Sequence, residues 1–286
     1  MNKWLKIALY TLLGLFALVG LLFTAVFVAM RFDLLNVQGS NALRNEFFLG
    51  TSTPDKQQAV KSQPCNDKSK TVCDWTETPE WNVVEGGLTK DAAVIARVSK
   101  ETGIDGRIMA SVVIPEQIRF FTSEREVFKR YFEPLKILGS LSQFSLGVSG
   151  IKQETAAQAE VYANDSTSPF YPGAKFADLL AYPAGTEHDA ELYRRLTDDK
   201  DHYYSYLYTA LYIKEIETQW KTAGFDIRNN PEALVTLFNI GFANSHPNAN
   251  PQPGGAPITV GGKTYAFGEL GANFYHSDKL LTAFPR

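Results

Sequence analysis

Residues 94–116 read VIARVSKETGIDGRIMASVVIPE, and the organisation of the chain is worked out from this stretch. Val94, Ile95 and Val98 recur at helical spacing, and Gly103 supplies a stop, so a helical region is expected from near Thr89. Asp105 then opens a second helix that carries Ile108, Met109, Val112 and Val113. Pro115 interrupts that pattern. It removes the hydrogen bond to the Ser111 carbonyl and disfavours helical geometry at Ile114, so the helix is expected to end or kink immediately before Glu116.

Further along, a long helix is expected from about Tyr203 to Ala223. Its stripe is Tyr204, Leu207, Tyr208, Leu211, Tyr212, Ile216 and Trp220. In the next helix Asn230 is the cap, Pro231 the first position and Gly241 the residue past the end, with Leu234, Leu237 and Phe238 facing inward. Residues Ile258–Val260 and Lys263–Phe267 flank Gly261-Gly262 and read as a hairpin. A last helical segment is expected from Phe267 to about Leu281. The expected class is mainly α with a small β-hairpin near the C-terminus.

The N-terminus is of another kind. Ile7 to Met30 is an uncharged run of 24 residues, rich in Leu, Phe, Val and Ala. At the helical rise it spans roughly 36 Å, against about 30 Å for a hydrocarbon core. The run is too long for a signal peptide, and no cleavage site follows it. One transmembrane anchor is expected. Lys3 and Lys6 precede it and Arg31 and Arg44 follow, a modest bias toward an extracytoplasmic C-terminal part.

Residues 1–31 are therefore read as cytoplasmic tip and anchor, 32–87 as a polar stalk, and 88–286 as the folded domain. As a flexible chain the stalk would reach on the order of 40 Å. Cys65 and Cys73 are the only cysteines. In an oxidising compartment they would close a short disulfide loop; the alternative is two independent thiols. Trp75 and Trp81 suggest that the far end of the stalk packs onto the domain.

With a net charge of −3 and no basic stripe, nucleic acid is not an expected partner. No phosphate-binding glycine loop, H-E-x-x-H or nucleophile elbow is present. His188, His202, His246 and His276 show no ligand spacing, so neither a metal nor a cofactor is expected. What remains is Glu116, next to an apolar helix and followed by Ile118, Phe120 and Phe121. Desolvation disfavours a charged carboxyl, and a general acid must hold its proton near the working pH. The competing reading is a solvated charge at a helix end.

Four stretches in sequence order resemble the lysozyme-like superfamily, most closely its soluble lytic transglycosylase type. Residues 94–105 look like its opening helix and turn. Residues 108–116 end where the family carries its catalytic glutamate. Gly147-Val148-Ser149-Gly150-Ile151-Lys152-Gln153 is similar to the G-A-x-G-L-M-Q turn that lines the sugar groove. Leu237-Phe238-Asn239-Ile240-Gly241 stands where the family has A-Y-N-A-G. The resemblance covers residues 88–160 and 200–245. Departures are Gln117 for a serine, Phe144 with Ser145 beside it for another serine, Lys152 for methionine, and Phe238 for tyrosine. Thirty residues also separate Glu116 from Gly147.

The resemblance implies a lysozyme-like helical domain that cleaves the MurNAc–GlcNAc β-1,4 bond of peptidoglycan glycan strands. Glu116 would be the single acid and base, with a 1,6-anhydro product. It implies substrate contacts at Ser145, Gly147, Gly150, Gln153, Phe238 and Asn239, and a location on the periplasmic side of the bacterial inner membrane. Gln153 and Asn239 have structural alternatives, as a turn residue and a helix-end residue. The tyrosine stripe of the Tyr203–Ala223 helix is read as core, the alternative being that one hydroxyl reaches the groove and replaces the one missing at Phe238; the residues 254–267 are expected to wall the groove. Two other functions stay open. One is a hydrolytic muramidase with Glu133 or Glu154 as second carboxylate. The other is a non-catalytic peptidoglycan-binding or envelope scaffold protein, a part of an envelope complex.

Overall fold

Thr78 starts the helical architecture. Its side chain accepts the Trp81 N–H at 3.3 Å, and Pro79 follows at the first helical position, so helix α1 runs Pro79–Thr102 rather than from near Thr89. The Gly86-Gly87 pair inside α1 costs roughly 1 kcal/mol per residue in helix propensity. Burial of Trp81, Val84 and Leu88 outweighs that, and it draws a segment expected in the stalk into the domain. Trp75 and Trp81 meet edge to face at 4.9 Å, and Trp81 lies 6.2 Å from Phe274.

The computed structural model describes residues 74–122 and 145–286, with positions scattered through 3–24. The chain divides into two units, Met1–Asn41 and Ala42–Arg286. In the first, the described positions are helical. Among the described residues no helix is long and apolar enough to cross a membrane, and much of the expected anchor at Ile7–Met30 lies outside them. Cys65, Cys73, Glu133 and the side chain of Ser145 lie outside them too.

The second unit is mainly helical. After α1 come α2 (Gly106–Thr122), a two-residue-per-strand hairpin β1 (Ser145–Leu146) and β2 (Ile151–Lys152), and α3 (Gln153–Asn164). Then follow α4 (Ala174–Leu180), α5 (His188–Thr197), α6 (Tyr203–Thr222) and α7 (Pro231–Ile240). A hairpin β3 (Pro257–Val260) and β4 (Lys263–Ala266) and a last helix α8 (Phe267–His276) complete it. Both strand pairs are antiparallel; in the second, Val260 pairs with Lys263 around Gly261-Gly262.

Helix α6 is the centre. The expected stripe covers only part of what is buried, because Tyr206, Ala210 and Ile213 lie on its other sides and are buried as well. A helix apolar on most faces belongs inside the core, here between α1, α3, α5 and α7. A second packing group forms from α2, α7 and α8.

Helix α2 departs most from the sequence expectation. It passes through Pro115 and continues to Thr122, so Glu116 sits within a helix and not at its end. The Ser111 carbonyl that proline leaves without its donor faces Gly271 of α8. A Cβ at Gly271 would overlap that oxygen and would stand 2.7 Å from Val235 Cγ1. The close approach of a glycine backbone shields the orphan carbonyl, and α2 stays helical because it is packed on both sides.

Helix α8 ends at His276, short of the expected Leu281. Its closing carbonyls have another partner. Arg107, fully buried near the start of α2, donates to Phe274 O (2.8 Å), Tyr275 O (2.8 Å), Ser277 O (2.5 Å), Lys279 O (3.0 Å) and Phe284 O (2.9 Å). The segment beyond His276 coils around one guanidinium instead of extending as helix.

Candidate functional site

Glu116 is 9 % exposed. Its carboxyl lies on the backbone of Gly150 in the turn between β1 and β2. A Cβ built at Gly150 would overlap an Oε of Glu116 and come within 2.6 Å of its Cγ. Gly150 also has φ +66°, a backbone region that side chains strain to adopt. Both facts demand glycine at that position.

The turn is tied down on two sides. Gln117 donates from Nε2 to Val148 O at 2.5 Å, so the residue after the glutamate grips the same turn. From α6, Ser205 Oγ accepts the Val148 N–H at 3.2 Å, and Gly147, with φ +64°, packs its backbone against Leu196 O and Ser205. Ser149 is buried, and its hydroxyl has no hydrogen-bond partner among the described residues.

Arg119, one turn after Glu116, donates from Nη2 to both carboxylate oxygens at 2.6 and 2.7 Å. The glutamate is thus both desolvated and paired. The i,i+3 spacing of Glu116 and Arg119 is the sequence signal for this pair. It goes unread when the helix is stopped at Pro115.

Phe267 carries the site across to α7. The Arg119 guanidinium lies 6.0 Å over its ring, and its Cβ stands beside Gly255. Ala256 N–H donates to Asn239 Oδ1 at 2.8 Å. The Gly254–Ala256 segment is held to α7 by that bond and by Gly254 N–H to Thr236 Oγ1 at 2.9 Å. Phe238 packs edge to face on Tyr212 at 5.2 Å, and the Tyr212 hydroxyl is near Gly241. The Tyr212 hydroxyl of α6 thus stands beside Gly241, while Tyr208 of the same stripe is buried in the core.

The six expected substrate contacts divide. Gly147 and Gly150 are in the turn under Glu116. Gln153 is the first residue of α3, and its Nε2 donates to Asp189 O at 2.9 Å. Asn239 Oδ1 is taken by Ala256. These bonds give both amides structural work, and among the described residues no hydrogen bond is made by Gln153 Oε1 or Asn239 Nδ2. The Ser145 backbone pairs with Lys152. Glu154 is exposed on the first turn of α3.

Two further polar clusters brace the core. Glu160 accepts from Tyr208, from Tyr182 (2.6 Å), and pairs with His188 Nε2 (2.7 Å). Asp91 pairs with His202 Nδ1 (2.6 Å) and accepts from Tyr206 (2.9 Å). Bonds to Asp189 and Glu160 raise the His188 pKa, and the bond to Asp91 raises that of His202. Among the described residues no group of three His, Cys, Asp or Glu side chains is arranged to hold a metal ion.

Gly150→Ala is expected to lower stability by about 2 kcal/mol, from the left-handed backbone and the overlap with Glu116. It should also push Glu116 off the turn. A thermal melt reads the first effect and the ¹³C resonance of the Glu116 carboxyl the second.

No family model, no curated protein and no solved structure matches this chain.

Proposed function

We propose that this protein is a membrane-anchored lytic transglycosylase, a lysozyme-like helical domain behind one N-terminal transmembrane helix, which cuts the MurNAc–GlcNAc β-1,4 bond of peptidoglycan. The observation that carries the reading is the seat of the Glu116 carboxyl on Gly150. The glutamate and the glycine turn of the resemblance, thirty residues apart in sequence, are in direct contact. The Tyr212–Phe238–Asn239 group and the Gly254–Ala256 segment support it as further parts of a glycan groove.

One carboxyl suffices for this chemistry. Protonated Glu116 donates to the glycosidic oxygen as the bond to the anomeric carbon breaks. The substrate's 2-acetamido oxygen meets the positive charge at that carbon, a substrate-assisted exception to the two-carboxylate rule. Ionised Glu116 then takes the proton of the sugar's 6-hydroxyl, whose oxygen closes the 1,6-anhydro ring. Water must be kept out for that outcome, and the burial of Glu116 serves this.

A second reading has a specific observation behind it. Arg119 occupies both Glu116 oxygens, as in a structural ion pair, which favours a glycan-binding or envelope scaffold protein without cleavage.

Digestion of purified sacculi by the full chain in detergent tests both. Anhydro-muropeptides detected by mass spectrometry, falling at least about a hundredfold in Glu116→Gln, are the expected result. Reducing ends instead would mean hydrolysis. Sacculi that are bound but left intact would favour the scaffold.

A further inference from the structure

We infer that Gln117 is a positioning residue for Glu116, acting through the glycine turn on which that carboxyl rests. The inference rests on the reading of Glu116 as the acid.

The turn needs a hold from outside. Its two strands pair over two residues each, a ladder too short to fix its own place. One side of the hold comes from α5 and α6. The Gly147 backbone packs against Leu196 O and Ser205, and Ser205 Oγ accepts the Val148 N–H at 3.2 Å. These contacts do not involve α2, the helix that bears Glu116.

Gln117 supplies a tie to α2. Its Nε2 donates to Val148 O at 2.5 Å, so Val148 has its N–H held by α6 and its carbonyl held by α2. Two residues on, Gly150 meets the Glu116 carboxyl. Glu116 and Gln117 are successive residues of one helix, and their side chains leave it about 100° apart. They reach the same turn at two points. With the Gln117 bond gone, the turn keeps its attachment to α6 and loses its register on α2, and Gly150 shifts against the carboxyl. A shift on the order of 1 Å at a reacting group can cost about a hundredfold in rate. One hydrogen bond from a half-buried amide weighs far less on stability. The signature of the role is a loss of turnover in a chain that still folds.

Gln117→Met keeps the length of the side chain and removes the donor. In the full chain in detergent, acting on solubilised peptidoglycan strands, kcat is expected to fall at least about tenfold. KM should stay within about twofold, because the bond is not made to the strand. The melting temperature should change little, and the ¹³C resonance of the Glu116 carboxyl should shift. Gln117→Asn, polar and one methylene shorter, gives the same test if Gln117→Met does not fold. A kcat within about twofold of the unaltered chain overturns the inference, and so does a higher KM at unchanged kcat, the mark of a strand contact. A fall in kcat with the Glu116 resonance in place also overturns it, since the effect would not pass through that carboxyl.

The resonance separates this inference from the catalytic reading. If the unaltered chain cuts no strand, the transglycosylase falls and the resonance alone decides. A shift in the variant then supports Gln117 as the residue that positions Glu116, and no shift overturns it.

Discussion

Replacing Arg107 with leucine is expected to lower the unfolding free energy by about 5 kcal/mol, as several buried carbonyls lose their donor at once. Five backbone oxygens between Phe274 and Phe284 accept from this one side chain, and the Phe274 ring packs under it at 4.5 Å. Burial pulls the guanidinium down to about 10, which still leaves it charged at neutral pH. Leucine fills part of the volume and offers no donor, so the carbonyls stay buried and unpaired. Lysine restores the charge with three donors in place of a planar fork, and its loss should be intermediate. Urea unfolding followed by the fluorescence of the buried Trp75, Trp81 and Trp220 measures it. A midpoint within error of the unaltered chain would show that the C-terminal segment is held by its apolar contacts alone.

The second large effect is one of pH. Glu215 is fully buried in α6, and neither carboxyl oxygen has a partner among the described residues. Burial raises its pKa from 4.5 to about 10. The folded chain therefore keeps a proton that the unfolded chain releases above about pH 4.5. Its contribution to stability is fully present below that value and is lost as pH rises toward 10. At 1.36 kcal/mol per pH unit the loss reaches about 4 kcal/mol between pH 4.5 and 7.5. Glu215→Gln has no proton to lose. The variant should match the unaltered chain near pH 4.5 and exceed it progressively above, in denaturation series at fixed ionic strength. Parallel curves across that range would mean that the carboxyl finds a partner or water in solution.

These residues also mark where sequence reading stops. The α1 stop at Gly103, the α7 cap at Asn230 and the Gly261-Gly262 hairpin were legible because each depends on neighbours a few positions away. Over 153–197 the local signals are short and polar-rich, and tertiary burial decides the helices: α3 and α5 pack on α6, and α4 packs on α3. Pro115 misled for a related reason. Its local effect is a break, and what cancels it is Gly271, far along the chain. That error hid Arg119, so the sequence led to Glu116 and the turn but not to the cation that holds the carboxylate. Gln153 and Asn239 could be named as the polar members of their two motifs. Their bonds to Asp189 and Ala256 depend on tertiary placement that spacing does not encode. Arg107 has no local signal at all.

The partners of Arg107 lie 167 to 177 residues downstream of it. This sets an order of events during synthesis. While the chain is being made, the helix that bears Glu116 can form its own turns, but its buried cation has nothing to bond until Phe274 to Phe284 have emerged. Contacts of such sequence separation form late and slow the folding of a domain. A part-made chain thus holds Glu116 without its finished surroundings. The packing of that helix against α8, and with it the approach of Arg119 to the Phe267 ring, is complete only after the last helix has been delivered.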